Sequence, residues 1–294
     1  MLMRRPVVVG VDGSPASLVA AEHAARAAVR RSAPLHLVHG YLHALGYGVP
    51  LNPYDMGIPA PSESAEKMLA ATVADLAGRW PGLEIEARQV AGGPGATLVE
   101  ESRHADLVVV GSRGLGGFTG LLLGSVGTQV AGHARCPVLV VRPTDEQLPA
   151  EGQPPGGGRI HVDGPVLVGV DGSESAELAL AYAADEAARR GTTLVLAHVA
   201  PPDEGTPDDS AVLLDSAEAA ARATHPDLVI GRQVWRADRP EQALVDASGE
   251  VALVVVGSRG HGGVAGLLLG SVSQALVQHS RCPVLVAHPY GHEA

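Results

Sequence analysis

Aromatic residues and cysteine are scarce in this sequence, and each scarcity narrows the classes of protein it can belong to. Phe, Trp and Tyr make up 3% of 294 residues, whereas hydrophobic residues of all kinds make up 46%, so Ala, Val and Leu must fill the core. Two cysteines, Cys136 and Cys282, are too few for a disulfide scaffold, and no cluster of zinc ligands accompanies them. We expect two buried, reduced thiols in a cytoplasmic protein.

Lysine and long hydrophobic runs are also missing. Lys67 is the only lysine, and the formal net charge is −11. Because nonspecific binding to nucleic acid depends on Lys and Arg neutralising phosphates, nucleic acids and anionic lipids are disfavoured partners. No apolar run approaches the ~20 residues that cross a bilayer, and the run at residues 7–11 is too short for a signal peptide. The sequence predicts a soluble protein with neither a nucleic-acid nor a membrane partner.

The sequence contains an internal repeat. The first appearance of each repeated motif and its return are VGVDGS at 9–14 and 168–173, LVVVGSRG at 107–114 and 253–260, GLLLGSV at 120–126 and 266–272, and RCPVLV at 135–140 and 281–286. The offset falls from 159 to 146 residues, which indicates an insertion in the first copy, best placed at the Gly-, Pro- and Tyr-rich residues 42–61. Residues 145–162 include Pro154–Gly158 and have the composition of a linker. We therefore predict one domain over residues 1–144 and a second over residues 163–294.

Each copy alternates short β-branched runs with Ala-rich stretches of helical periodicity. Residues 6–11, 107–110 and 138–141 read as buried parallel strands. Helices are predicted over residues 17–31, 64–77, 175–190 and 211–224. This order is typical of an α/β, doubly wound, Rossmann-like domain with helices on both faces of the sheet. Ligands of such sheets bind beyond the carboxyl ends of the strands.

A glycine-rich segment follows a buried strand in each copy. Gly111 and Gly114 precede Gly124 and Ser125 in the first copy, and Gly257, Gly260, Gly270 and Ser271 match them in the second. Glycine permits positive φ and close approach of a phosphate to the backbone, so these segments are candidate anion-binding loops. We expect Ser125 and Ser271 to cap helices over residues 126–134 and 272–280, whose N-termini would face the phosphate. The alternative is a tight strand-to-helix turn without a ligand.

Other charged or titratable residues occupy matching places. Asp12 and Asp171 end the first strand of each copy, where a carboxylate can bind ribose or adenine, lie near a phosphate-bound metal, or merely close a turn. Arg113 and Arg259 lie in the glycine loops, where they either reach phosphate oxygens or are solvated. His39 and His198 also match across the repeat, but we assign them no role.

The two sets of motifs resemble the signature of tandem universal stress proteins of the ATP-binding subclass, G-x2-G-x9-G-[S/T], which both copies contain in full. The resemblance implies a five-stranded parallel sheet per domain in the order 3-2-1-4-5. It also implies that adenine and ribose contact the end of the first strand and that phosphates lie on the glycine loops. The residues so implicated besides the loop glycines and serines are Gly10, Val11, Asp12, Gly40 and Val126 in the first copy and Gly169, Val170, Asp171, Val199 and Val272 in the second.

The resemblance further implies that the fifth strands, residues 138–142 and 284–288, pair antiparallel and form an internal pseudo-dimer. That pairing places Cys136 and Cys282 at opposite ends, which argues against a disulfide between them. A homodimer of whole chains is compatible with the same family. One departure is Gly40 in place of the apolar Val199, which predicts a thinner adenine wall in the first copy. Another is Ala252, where the first copy has Asp106.

These features predict a protein that binds ATP, with or without magnesium. We expect it to act as a nucleotide-dependent sensor in a stress response, whose state an unidentified regulatory partner protein recognises. No G-x4-G-K-[S/T] loop is present, and Lys67 falls in a predicted helix away from the glycine loops, so little or no hydrolysis is expected. The alternative is a slow magnesium-dependent ATPase or a nucleotide-dependent transferase, in which Asp12 or Asp171 holds the metal. A third alternative is a flavin-carrying electron-transfer protein, which would be yellow.

Overall fold

The computed structural model describes residues 4–41, 62–112, 124–143, 163–202, 207–260 and 268–290. The predicted insertion at 42–61, the predicted linker at 145–162 and the first-copy residues Arg113 and Gly114 lie outside the described residues. The elements of the first copy are β1 Val7–Gly10, α1 Pro15–Arg31, β2 Leu35–Tyr41, α2 Glu63–Arg79, β3 Ile85–Ala91, α3 Pro94–Glu101, β4 Leu107–Gly111, α4 Ser125–His133 and β5 Val138–Val141. Those of the second copy are β6 Val166–Gly169, α5 Glu174–Arg190, β7 Leu194–Ala200, α6 Pro207–Thr224, β8 Ile230–Arg236, α7 Pro240–Ala247, β9 Leu253–Gly257, α8 Ser271–His279 and β10 Val284–Ala287.

The strands form one ten-stranded sheet in the order β3-β2-β1-β4-β5-β10-β9-β6-β7-β8. Within each copy all neighbouring strands are parallel, and β5 pairs with β10 antiparallel with Leu139 opposite Leu285. This confirms two tandem doubly wound α/β domains with strand order 3-2-1-4-5, joined as an internal pseudo-dimer.

Helices cover both faces of the sheet because the strands are apolar on both sides. Val7 and Val9 belong to the core shared with α1, α2, α5 and α6, whereas Val8 points to the core shared with α3, α4, α7 and α8. The first core is rich in alanine, and Ala20, Ala24 and Ala28 are fully buried on α1. Small side chains let the helices lie close to the sheet, which is how a chain with few aromatics fills its interior.

Polar side chains join the two copies beyond the β5–β10 pairing. The carboxylate of Glu186 on α5 is 4% exposed and accepts hydrogen bonds from Arg31 on α1 and from Arg190 on its own helix. Tyr290, which follows β10, donates its hydroxyl to the Asp106 carboxylate at 3.1 Å and stacks edge-on against Tyr182. Asp106, which has no counterpart at Ala252, therefore stabilises the interface between the copies.

Both cysteines are free and buried, as predicted. Burial raises the pKa of the Cys136 thiol to about 12 and that of the Cys282 thiol to about 11. A thiol with so high a pKa is a poor nucleophile and a poor metal ligand at neutral pH.

Candidate functional site

The carboxyl ends of the two central strands of each copy are held in the same way. In the first copy, the N–H of Val11 donates to the carbonyl of Val38 at 2.9 Å, and Nδ1 of His39 lies 2.8 Å from the carbonyl of Val11. In the second copy, Val170 and His198 make the matching contacts, each at 2.8 Å. The matched histidines therefore fix the end of the first strand, which accounts for them structurally.

A cavity of about 390 Å³ opens at this edge of the second copy. All ten residues that the sequence singles out there line it, namely Gly169, Val170, Asp171, Val199, Gly257, Arg259, Gly260, Gly270, Ser271 and Val272. The lining also includes seven residues that sequence reasoning missed, namely Ala176, Ala197, Pro240, Leu244, Val256, Leu269 and Ser273. Most of the missed residues are apolar, and they add hydrophobic surface to the lining of the cavity.

Two of the missed residues, Pro240 and Leu244, come from α7. Pro240 begins this helix and Leu244 lies one turn later, so both side chains face the sheet. Proline at the first helical position followed by an apolar residue four positions on is a recognisable helix-start signal. That signal was the one available pointer to these two residues.

Close backbone packing explains the glycines of the second-copy loop. A Cβ built on Gly260 would lie 2.9 Å from Oδ2 of Asp171, and one built on Gly270 would lie 3.4 Å from Cα of Arg259. The carbonyl of Arg259 accepts a hydrogen bond from Oγ of Ser175. The strand end, the loop and the start of α8 are thus immediate neighbours at the cavity.

The prediction that Ser125 and Ser271 are N-caps is wrong by one residue. Gly124 and Gly270 are the N-caps of α4 and α8, and neither makes a side-chain capping bond. Each capping glycine instead donates its N–H to a carbonyl of the preceding loop, Ser112 or Ser258, at 2.8 Å. Ser125 and Ser271 are the first helical residues, and the first-turn N–H groups of a helix have no acceptor within the helix.

Ser273 ties α8 to the strand that it follows. Its hydroxyl, 3% exposed as a residue, donates to the carbonyl of Gly257 at 2.5 Å. The equivalent residue on α4 is Gly127, which has no hydroxyl. The N-terminus of α8 is therefore fixed to β9 by a bond that the first copy cannot form.

Asp12 and Asp171 close the turns that precede α1 and α5. Oδ1 of Asp12 accepts from the N–H of Ser14 at 2.9 Å, and Oδ1 of Asp171 accepts from the N–H and the hydroxyl of Ser173 at 2.9 and 2.6 Å. Ser14 and Ser173 are in turn the N-caps of those helices. Both aspartates therefore stabilise the turn before a helix through their side chains, and Asp171 also lines the cavity.

The first copy brings its described candidate residues to the same edge of the sheet. Gly10 ends β1, Gly40 lies in β2, and Gly111 ends β4, the strand on the other side of β1. Val11 and Asp12 follow β1, while Gly124, Ser125 and Val126 form the start of α4. Arg113 and Gly114, which would complete this set, lie outside the described residues.

Gly40 does not leave the thinner wall that the sequence suggested. A Cβ built on it would lie 2.7 Å from Cα of Pro94, and one built on Gly10 would lie 2.7 Å from Cδ1 of Leu98. The backbone of α3 therefore leaves no room for a side chain at position 40, whereas at position 10 the close neighbour is the end of a leucine side chain.

Lys67 lies on α2, exposed, with Nζ 2.6 Å from a carboxylate oxygen of Glu63 one turn earlier. It belongs to a solvated helix surface, as its place in the sequence predicted. No helix in the described residues is both long enough and apolar enough to span a membrane.

Comparison with known proteins identifies the family. The sequence profile of the universal stress protein family matches residues 3–142 and again residues 164–288. The chain belongs to the universal stress protein family. It is 38% identical to a universal stress protein of Mycobacterium tuberculosis over 96% of this chain and 95% of that one, and 35% identical to one of Mycolicibacterium smegmatis over 96% and 97%.

The fold also matches a crystal structure. A universal stress protein from Archaeoglobus fulgidus superposes with a TM-score of 0.70 at 22% identity, covering 98% of this chain and 97% of the other. The tandem arrangement is therefore shared along the whole length of the two chains.

Proposed function

We propose that this universal stress protein binds one ATP in each copy and acts as a nucleotide-dependent regulator that hydrolyses ATP little or not at all. The observation that carries the proposal is the second-copy cavity, which is lined by all ten residues that the sequence predicted for this site. Its volume of about 390 Å³ falls in the range of small-molecule sites.

Two parts of the cavity lining suit the two ends of a nucleotide. Val199, Pro240 and Leu244 form an apolar wall against which a purine base can stack. Elsewhere in the lining, Gly260 and Gly270 lie next to the first turn of α8, where N–H groups without an acceptor in the helix and the positive end of the helix dipole favour phosphate. Asp171, at the end of the first strand, lies close to Gly260 and can accept hydrogen bonds from a ribose.

The expectation of slow turnover rests on the roles that the charged groups already have. Oδ1 of Asp12 and Oδ1 of Asp171 close helix-start turns, and Lys67 pairs with Glu63 on the exposed surface of α2. Phosphoryl transfer needs a group that compensates the transferring charge and one that positions the nucleophile.

The direct test uses matched charge variants at the two helix starts. Ser125→Asp and Ser271→Asp each place a carboxylate where a phosphate would bind, while an acidic residue at the first helical position stabilises the helix itself. Calorimetric titration with ATP should give two sites per chain for the wild type, one for either single variant and none for the double variant. Val212→Asp, which adds the same charge at a side chain that is 68% exposed on α6, should leave both sites intact.

Two further readouts address turnover. Nucleotide released from denatured wild-type protein should be ATP, at about two per chain if both sites are filled during purification. A wild-type chain that binds no ATP in the titration would reject the proposal. Rapid phosphate release that Asp12→Ala plus Asp171→Ala abolishes, with binding retained, would favour the ATPase alternative.

In the cell, we expect nucleotide occupancy to act as a signal. Nucleotide occupancy changes the loops at the carboxyl edge of the sheet, and a partner protein in the cytoplasm reads that state. The β5–β10 pairing already makes a dimer of the two copies within one chain.

A further inference from the structure

Helix α4 belongs to the first copy at its start and touches the second copy at its end. Its N-terminus, at Gly124 and Ser125, is the expected phosphate-binding end of the first site. In its last turn, a Cβ built on Gly132 would lie 2.9 Å from Cβ of Leu268, so Leu268 packs directly on the helix backbone. Leu268 lies in the second copy, two residues before the cap of α8.

A second contact holds the same turn of α4. His288, which follows β10 directly, is buried, and its Nε2 lies 2.8 Å from the carbonyl oxygen of Ala131. Since a carbonyl only accepts, the histidine donates through Nε2–H. Burial, together with the charges of Arg135 and Arg259, lowers the pKa of His288, so the ring is neutral at physiological pH.

Both contacts originate in parts of the second copy that border its cavity. Leu268 is adjacent to Leu269 and close to Gly270, which both line the cavity. His288 follows Ala287, whose register partner is the cavity-lining Gly257. A displacement of the loop before α8 can therefore reach the last turn of α4 through Leu268, and a displacement of the end of β9 can reach it through His288.

We propose that ATP in the second-copy cavity is coupled to the first site through α4, with Leu268 and His288 as the positioning residues. The inference rests on the proposed ATP binding. A helix of nine residues moves as a unit, so a shift of its last turn also moves the N–H groups at its start. The equivalent contacts from the first copy to α8 differ in sequence, because Gln278 stands on α8 where α4 has Gly132, and Arg142 stands in the first copy where the second has His288.

The test isolates the second site and watches α4. In the Ser125→Asp chain, which binds ATP only in the second copy, ATP should slow amide hydrogen exchange in the last turn of α4, residues 130–134. Leu268→Ala combined with His288→Ala should abolish that protection while calorimetry on the same sample shows unchanged ATP binding. Val212→Ala, an exposed truncation on α6, serves as the control for Leu268→Ala and should retain the protection.

An equilibrium measurement gives the size of the coupling. The affinity of the first site should differ by about fivefold or more between the wild type with its second site filled and Ser271→Asp, within the range usual for coupled sites. Gly132→Ala, which favours the helix but displaces Leu268, should also shift this ratio, and it covers the case in which the double variant does not fold.

Two results would overturn the coupling. The first is that ATP binds in the second copy but amide exchange in α4 does not change. The second is that the first site has the same affinity for ATP in the wild type and in Ser271→Asp. A wild-type chain that binds no ATP at all would instead remove the proposed function and this inference with it.

Discussion

The two copies share strand order and motifs, yet their short third helices sit differently over the central strands. In the first copy, α3 packs against bare backbone, with Pro94 at Gly40 and Leu98 at Gly10. In the second copy, Val199 replaces Gly40, and a Cβ built on Gly169 would lie 3.5 Å from Cδ1 of Leu244. The greater spacing accompanies the cavity there. Gly10 is therefore in close contact with α3, whereas the equivalent Gly169 has more space and borders a cavity.

A second contrast concerns buried glutamates on the equivalent helices α1 and α5. Glu22 binds Arg26 and Arg79 within the first copy, whereas Glu186 binds Arg31 across the interface and Arg190 on its own helix. One carboxylate stabilises a single domain and the other joins two. The predictions below test these contrasts, from the largest expected effect to the smallest.

Glu186→Gln should cost about 3–5 kcal/mol of unfolding free energy, because it leaves a cluster of arginines without its buried counter-charge. Urea denaturation followed by circular dichroism measures the change. Glu177→Gln, on the exposed side of the same helix, should cost less than about 1 kcal/mol. A loss at Glu186 no larger than that at Glu177 would show that the copies do not depend on this carboxylate.

Acidification should destabilise the protein through His23, whose place in the second copy is taken by Tyr182. Burial, reinforced by Arg190, Arg26 and Arg30, lowers the pKa of His23 from 6.5 to about 3. Between these values the unfolded chain binds the proton and the folded chain does not, so stability falls as the pH falls. The expected loss is about 2 kcal/mol from pH 6.5 to pH 5.

His23→Gln should flatten that part of the stability profile, whereas His279→Gln on the exposed surface of α8 should leave it unchanged. Glu186 acts in the same direction but at lower pH. Arg31 and Arg190 more than offset the effect of burial and lower its pKa from 4.5 to about 2, so its contribution is present above pH 4.5 and is lost as the pH falls toward 2. An identical slope in wild type and His23→Gln between pH 6.5 and pH 5 would contradict the assignment.

Gly40→Val should destabilise the first copy by about 1–3 kcal/mol, since the new side chain meets the backbone of Pro94. The reciprocal change, Val199→Gly, should instead weaken ATP binding to the second copy by up to about tenfold through loss of apolar contact. Thermal unfolding and calorimetry separate the two effects. If Gly40→Val caused no loss of stability, α3 could adopt the greater distance from the sheet that α7 has in the second copy.

Ser273→Ala should have the smallest effect, about 1 kcal/mol, because it removes one buried hydrogen bond to Gly257. The first copy already lacks this bond at Gly127. A thermal shift assay on the full chain measures the change. No shift at all would indicate that α8 is fixed by packing alone.

The repeat and the alternation of strands and helices were enough to predict the domain type, and the family resemblance supplied the strand order and the β5–β10 pairing. The domain type follows from local patterns, since short β-branched runs such as Leu107–Val110 indicate buried parallel strands. The gathering of the second-copy residues was predictable for the same reason, because strand ends of one sheet meet at one edge.

Other features depend on distances between remote segments and could not be predicted. Serine is the better capping residue by preference, yet Gly124 and Gly270 are the N-caps, and the N–H of each donates to a distant loop carbonyl. The role of Gly40 depends on how near Pro94 comes, and that of Glu186 on Arg31, 155 residues away. A single sequence contains no signal for such approaches.

The antiparallel seam between β5 and β10 has a consequence for how the molecule can diversify. Two separate chains joined by such a seam would exchange partners and would need sufficient concentration to assemble. Here one polypeptide carries both sides, so the second side is present at an effective concentration set by the tether. Every molecule therefore pairs a first copy with a second copy. The two copies can then diverge in sequence, as with Val199 in one and Gly40 in the other, because neither has to pair with an identical copy through β5 or β10.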